Sequence, residues 1–166
     1  MIDAAYVRRM ALYNRWQNEN LYGVADRLSD AERRLDRGAF FGSIHATLSH
    51  LLWGDRTWMS RFAGWPKPDG GIRESVSRYP DWDGLKQQRA ASDAELIAWS
   101  NDLDPRWLAG DLTWFSGAFQ REVTKPVWQL LVHFFNHQTH HRGQVHAMLT
   151  QAGGKPHDTD LFAMPE

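Results

Sequence analysis

The sequence predicts an all-α fold, a four-helix bundle formed by a single domain over residues 1–166. Three observations support this prediction. The chain of 166 residues is long enough to bury a core within one domain. Four segments repeat apolar residues at intervals of three and four, which is typical of helices with one buried face. Stretches rich in Gly and Pro separate the segments and end the helices.

The first two helices are predicted over residues 3–28 and 40–62. The apolar face of the first consists of Val7, Met10, Ala11, Leu21, Ala25 and Leu28. The apolar face of the second consists of Ile44, Leu48, Leu51, Leu52, Met59 and Phe62. Asn14 and Asn18 lie in the middle of the first face. Buried polar groups need hydrogen-bond partners, so both are expected to be satisfied core amides or, alternatively, to line a polar pocket.

The second half of the chain contains two further helices and a short hairpin. The third helix is predicted over residues 83–103, with Pro105 ending it. Residues 112–124 favour a β-hairpin with its turn at Ser116 and Gly117. The fourth helix is predicted over residues 125–152, with Thr124 as N-cap and Pro126 in the first turn.

The composition excludes several classes of partner and site. Nineteen basic and twenty acidic residues give a net charge of -1 without runs of like charge, so neither nucleic acid nor membrane is expected as a partner. The N-terminus lacks a signal-peptide pattern, which predicts a cytoplasmic protein. The chain has no Cys, so a metal ion would be held by imidazole, carboxylate or carbonyl groups.

Nine Trp residues make the chain unusually aromatic. Large rings bury most of their surface, so we expect Trp16, Trp53, Trp58 and Trp128 to pack in the core or in a dimer interface. The alternative is that some of them form the wall of an apolar substrate pocket.

Histidines concentrate on the fourth predicted helix, which contains His133, His137, His140, His141 and His146. His137 and His141 point furthest towards the apolar side, and their i,i+4 spacing stacks two imidazoles on one face. Two ligands are too few for zinc, nickel or iron, so a third is needed. The second helix offers His45 and His50, and its helical wheel slightly favours His45.

Asp55 and Arg142 are charged residues on the apolar sides of the second and fourth helices. A buried charge needs an opposite charge beside it. We therefore predict a buried Asp55–Arg142 ion pair that clamps the two helices together.

Three segments together resemble the DinB family, the DinB/YfiT-like metalloenzymes. They are YNRWQNENL (13–21), LSHLLWGDRTWMSRFAG (48–64) and HFFNHQTHHRGQVHAML (133–149). The resemblance implies an up-down-down-up helix order, a homodimer and a divalent metal ion. It implies that His50, His137 and His141 are the metal ligands, so it favours His50 over His45. Gln144 would then orient a ligand or a bound water.

The resemblance also implies a reaction class. Related proteins are thiol-dependent transferases or isomerases. A histidine triad with an open position would therefore activate a small-molecule thiol in a transferase reaction, with metal-assisted hydrolysis as a neighbouring possibility. The alternative is a non-catalytic metal-binding or stress-response module with a structural or sensory ion. Such a closed site would need a fourth ligand, for which His45, His133 and His140 are candidates.

Overall fold

The computed structural model describes residues 2–117 and 119–165. Within these ranges the chain is mostly helical, with one two-stranded antiparallel sheet, so the all-α class holds only approximately. The elements are α1 (Ala4–Ala25), α2 (Asp30–Arg34), α3 (Ile44–Phe62), α4 (Ile72–Ser75), α5 (Trp82–Asn101), α6 (Pro105–Leu108), β1 (Asp111–Ser116), β2 (Arg121–Pro126) and α7 (Val127–Gln151). A 3-10 turn, Leu161–Ala163, follows near the C-terminus. Every helix in these ranges is too short or too polar to span a lipid bilayer.

Side-chain caps determine where three of the four long helices begin. Asp3, Ser43 and Asp81 precede α1, α3 and α5, and the side chain of each accepts a hydrogen bond from a backbone N–H of the first turn. These N–H groups have no partner inside the helix. The Ser43 cap also explains why α3 begins later than the predicted residue 40, because Gly42 before it has a non-helical φ of 77°.

The predicted start of the last helix is wrong by two residues, and its cap is wrong. Strand β2 continues to Pro126, and α7 begins at Val127 without a side-chain cap. The Oγ1 atom of Thr124 lies 2.7 Å from that of Thr113 across the hairpin. Strand pairing therefore uses the hydroxyl group that was predicted to cap the helix. The hairpin itself is confirmed, although Ser116 still pairs with Arg121 and the turn follows it.

The four long helices contact one another in a closed ring. Helix α1 packs against α5 and α7, and α3 packs against α7 and α5. Two separate apolar clusters fill the interior. On α7, one cluster takes side chains from residues 127–135 and the other from residues 145–149. His137 and His141 therefore lie at the level between the two clusters.

A layer of buried polar side chains occupies that level. Arg89 of α5 donates hydrogen bonds to Asp55 of α3 (2.6 Å) and to Asp93 (2.8 Å), and all three side chains are at most 5% exposed. Asn14 and Asn18 of α1 donate to the same Asp93 carboxylate at 3.0–3.1 Å. The prediction that both amides are satisfied within the core is therefore confirmed.

The predicted Asp55–Arg142 pair is wrong, although both residues are buried. Arg142 donates instead to the main-chain oxygen (3.2 Å) and Oδ1 (2.6 Å) of Asn14, while Arg89 binds Asp55. The prediction failed because the apolar pattern of the third helix gave no reason to place Arg89 inside. Two carboxylates and two guanidinium groups still balance in this layer. Burial lowers the pKa of Arg142 to about 10, and the charge of Asp55 opposes that shift, so Arg142 stays protonated at neutral pH.

Arg89→Met tests this layer. The variant removes the only guanidinium among the described residues that bonds to the two buried carboxylates, so we expect the free energy of unfolding to fall by about 3–5 kcal/mol in urea titrations. Arg106→Met is the control, because it removes an Arg–Asp pair whose Arg side chain is 92% exposed, and it should leave stability unchanged. Equal effects of the two substitutions would contradict the structural role given to Arg89.

Candidate metal centre

Three histidines from two helices meet at the level of the polar layer. His50 lies on α3, and His137 and His141 lie one turn apart on α7. One ring nitrogen from each falls within a group whose atoms are all within 4.8 Å of one another. The Nε2 atoms of His50 and His137 are 3.2 Å apart. His50 and His141 are buried, whereas His137 is partly exposed.

His45, the other candidate on α3, is not part of this group. Its Nε2 lies 2.8 Å from the main-chain oxygen of Tyr79, and its ring lies beside Trp82. Residues 45 and 50 are about 140° apart around a helix, so both cannot face the same site. The helical wheel favoured His45 because it identifies the most apolar face of α3. The group formed by His50, His137 and His141 lies beside that face.

A hydrogen-bond chain fixes the tautomer of His50. Its Nδ1 lies 2.8 Å from the Oγ of Ser75, a fully buried residue at the end of α4. The Ser75 hydroxyl donates its only proton to the main-chain oxygen of Ile72 at 2.6 Å. Towards His50 it can only accept, so Nδ1 carries the imidazole proton. The Nε2 atom of His50 therefore presents a free lone pair to the other histidines.

Gln144 has the same effect on His141. Its Oε1 accepts a hydrogen bond from the Nδ1 of His141 at 2.9 Å, as the resemblance led us to expect of this residue. The Nε2 of His141 is then also a bare acceptor. Gln144 is held in turn by His140, whose ring nitrogen lies 3.3 Å from its amide nitrogen. His140 thus touches the site through Gln144.

The surroundings keep the three imidazoles uncharged. Burial, and then the charges of His137 and His141, lower the pKa of His50 to about 3. Burial, and then the charge of His141, lower the pKa of His137 to about 4. Burial also lowers the pKa of His141, against the effect of the Gln144 hydrogen bond. Neutral imidazole is the form that binds metal ions, so the group is ready for a ligand role near neutral pH.

Two close contacts hold the rings from outside the triad. The ring of Phe41, in the loop before α3, lies 4.0 Å from that of His50 and 5.2 Å from that of His141, measured between centroids. Gly54 of α3 lies against His137, and a Cβ atom at this glycine would stand only 3.2 Å from His137 Cε1. The glycine therefore makes room for the ring between α3 and α7.

A cavity of about 810 Å³ opens beside His50 and His137. Trp53 belongs to one apolar core cluster and Trp58 packs against the other, as predicted, and both rings also form part of the cavity wall. His133 also lines the cavity, with its ring centroid 6.1 Å from that of His137. Trp16 and Trp128 lie elsewhere: Trp16 stacks on His157, and Trp128 packs against one apolar cluster.

Several residues of the site were missed at the level of sequence. A glycine inside an apolar helical pattern can indicate a close approach, so Gly54 carried a usable signal. Ser75 and Phe41 carried none, because Ser75 ends a four-residue helix and Phe41 lies in a loop, and the position of both depends on packing. No periodicity leads from either residue to a histidine on another helix.

The geometry fits a divalent ion. Three neutral imidazoles direct nitrogen atoms to a common point, and two are oriented by outer hydrogen bonds of the kind found around metal-bound histidines. Over residues 2–117 and 119–165, no further His, Asp or Glu belongs to the group. The described residues therefore offer three protein ligands to an ion at this point.

Comparison with known proteins identifies the family of the chain. The sequence model of the DinB family matches residues 1–166. The chain is also similar to Protein DinB of Bacillus subtilis (strain 168), with 27% identity over 176 residues that cover 96% of this chain and 92% of the relative. Because the family model matches the sequence over its full length, the chain belongs to the DinB family.

Proposed function

We propose that the protein binds one divalent metal ion through His50, His137 and His141 and that, with this ion, it acts as a thiol-dependent transferase. The observation that carries the proposal is the convergence of three imidazole ring nitrogens within 4.8 Å of one another beside a cavity. Zinc, nickel and iron all suit such ligands. Three neutral donors leave the charge of the ion uncompensated, which favours an anionic fourth ligand such as a thiolate.

The residues around the triad would each have a part in such a reaction. A divalent ion supplies a nucleophile near neutral pH by lowering the pKa of a coordinated thiol or water. Ser75 and Gln144 hold His50 and His141 in the tautomer that binds it. Phe41 covers two of the rings with an apolar surface, which limits the access of bulk water. The cavity beside His137 gives a second substrate room to approach.

A non-catalytic module with a structural or sensory ion is the alternative. A structural zinc site is closed by a fourth protein ligand. The candidates for that ligand are occupied elsewhere among the described residues: His45 bonds the Tyr79 carbonyl, and His140 contacts Gln144. His133 belongs to the cavity wall. This distribution supports an exchangeable coordination position and hence the catalytic proposal, with hydrolysis as the neighbouring reaction.

Family membership supports further proposals about the whole protein. We propose that α1, α3, α5 and α7 form an up-down-down-up four-helix bundle and that residues 1–166 are one domain. We also propose that the protein is a cytoplasmic homodimer that acts on small molecules rather than on nucleic acid or membranes.

His50→Ala and His45→Ala distinguish the two candidate third ligands. Protein purified without a histidine tag should hold about one metal ion per chain by elemental analysis. We expect His50→Ala and His137→Ala to lose it, because two imidazoles bind too weakly, while His45→Ala retains it. Circular dichroism controls for folding. Retention of the full metal content by folded His137→Ala would refute the site.

Gly54→Ala tests the contact between α3 and the metal ligand. Its Cβ would press on His137, so we expect a metal affinity about tenfold weaker in a competition assay with a chelating dye. Gly143→Ala is the matched control, since it adds a methyl group to α7 with no atom within 4 Å. Both substitutions favour the helix by about 0.5–1 kcal/mol. Equal metal affinities in the two variants would mean that Gly54 does not position His137.

A thiol titration tests the open position. In cobalt-substituted protein, we expect 2-mercaptoethanol to shift the ligand-field spectrum and to add a sulfur-to-cobalt charge-transfer band, because the triad leaves a site for an anionic sulfur ligand. Ethylene glycol, which has a hydroxyl group in place of the thiol, is the control. An unchanged spectrum with 2-mercaptoethanol, cysteine and glutathione would argue for a closed, non-catalytic site.

A further inference from the structure

The cavity beside the triad is positively charged. Its described lining contains Arg61 and Lys67 but neither Asp nor Glu. Lys67 is exposed at the surface, whereas Arg61 is partly buried in the last turns of α3. A negative group that entered this cavity would therefore meet cations without a competing carboxylate on the wall.

Arg61 has no anionic partner among the residues that the structure describes. Over residues 2–117 and 119–165, no carboxylate oxygen lies within 4.0 Å of its nitrogens, whereas Arg56 on the same helix contacts Glu95, and Arg89 contacts two aspartates. Burial lowers the pKa of Arg61, and no neighbouring anion offsets this effect. Arg142 also lacks a carboxylate, but it donates hydrogen bonds to two oxygen atoms of Asn14. The Arg61 guanidinium donates no hydrogen bond to any described residue, so its donors are free for a ligand.

Aromatic rings position this guanidinium within the cavity. Its central carbon lies 4.4 Å from the ring centroid of Trp58 and 5.6 Å from that of Trp114, and both rings line the same cavity. Such stacking holds the planar group while its N–H donors stay available. The arrangement resembles a receptor for a planar anion, because the side chain is oriented but its hydrogen bonds are unused by acidic groups of the wall.

The spacing along α3 connects Arg61 with the triad. Gly54 lies against His137, and Arg61 follows it by seven residues, which is two helical turns or about 10 Å along the axis. Trp58 lies between them on the same wall. A small molecule with one end at the histidines and the other at Arg61 would therefore cross an indole ring.

We propose that the cavity binds an organic carboxylate with an apolar or aromatic body, and that Arg61 is the residue that selects the carboxylate. The guanidinium would bind the two oxygens in parallel, and the body would pack on Trp58 and Trp114. A single guanidinium between indole rings suits a planar carboxylate better than a phosphate, which is usually held by several N–H donors. That this ligand is the substrate rests on the proposed function, whereas the carboxylate site does not.

The test compares 3-phenylpropionate with the uncharged 3-phenylpropanamide by isothermal titration calorimetry. We expect wild-type protein to bind the acid about tenfold more tightly than the amide, because the hydrogen bonds to Arg61 are charge-assisted. Arg61→Gln should remove this preference and leave the amide unaffected, and Arg61→Lys should retain part of it. Arg73→Gln is the matched control, since it removes an exposed charge from neighbouring α4 without altering the cavity wall.

Each titration is run on chelator-treated and on zinc-loaded protein, so that this inference and the metal proposal can fail separately. A preference that depends on Arg61 in both samples supports the inference, even if the triad holds no zinc. If the preference for the acid is lost in chelator-treated protein and is unchanged by Arg61→Gln, the acid binds the metal ion. This result would overturn the inference. Equal affinities of wild-type protein for acid and amide also overturn it, and this comparison requires no variant to fold.

Discussion

The burial of Arg89 between Asp55 and Asp93 is the constraint on which the rest of the structure depends. Charges inside a protein are tolerated only when they are paired and hydrogen-bonded. Helices α3 and α5 can therefore pack only in the register that brings Arg89 to Asp55. Asn14 extends the network from Asp93 to Arg142 and thereby ties α1 and α7 to the same level. Because the network includes all four long helices, a slip of any one would leave a buried charge unpaired.

The histidine site depends on that register. His141 directly precedes Arg142 on α7, and His50 lies just over one turn before Asp55 on α3. Once Arg142 and Asp55 are held by the polar network, the imidazoles of the two helices must face each other. Ser75 then completes the local geometry by fixing the His50 tautomer from α4. The metal proposal therefore rests on a scaffold that is determined independently of any ion.

The cavity and the triad are parts of one arrangement along α3. His50, Gly54, Trp58 and Arg61 recur at intervals of three and four, which places them along one side of the helix. The histidine end carries neutral nitrogen donors, the middle is aromatic and the far end carries a guanidinium. Such a gradient from ligand donors to a fixed cation suits a substrate with a reactive end, an apolar body and an anionic end.

The sequence by itself determined most of the helices and two of the three histidines. Apolar periodicity located the long helices to within a few residues, and the i,i+4 spacing paired His137 with His141, because both signals are local. The helical wheel left the third histidine open, and only the resemblance indicated His50. The tertiary structure brought His50 to the other two histidines, gave Asp55 the partner Arg89 and gave Thr124 a role in the hairpin. Those outcomes depend on groups distant in sequence that compete for the same hydrogen bonds, and the competition is settled only when the helices pack.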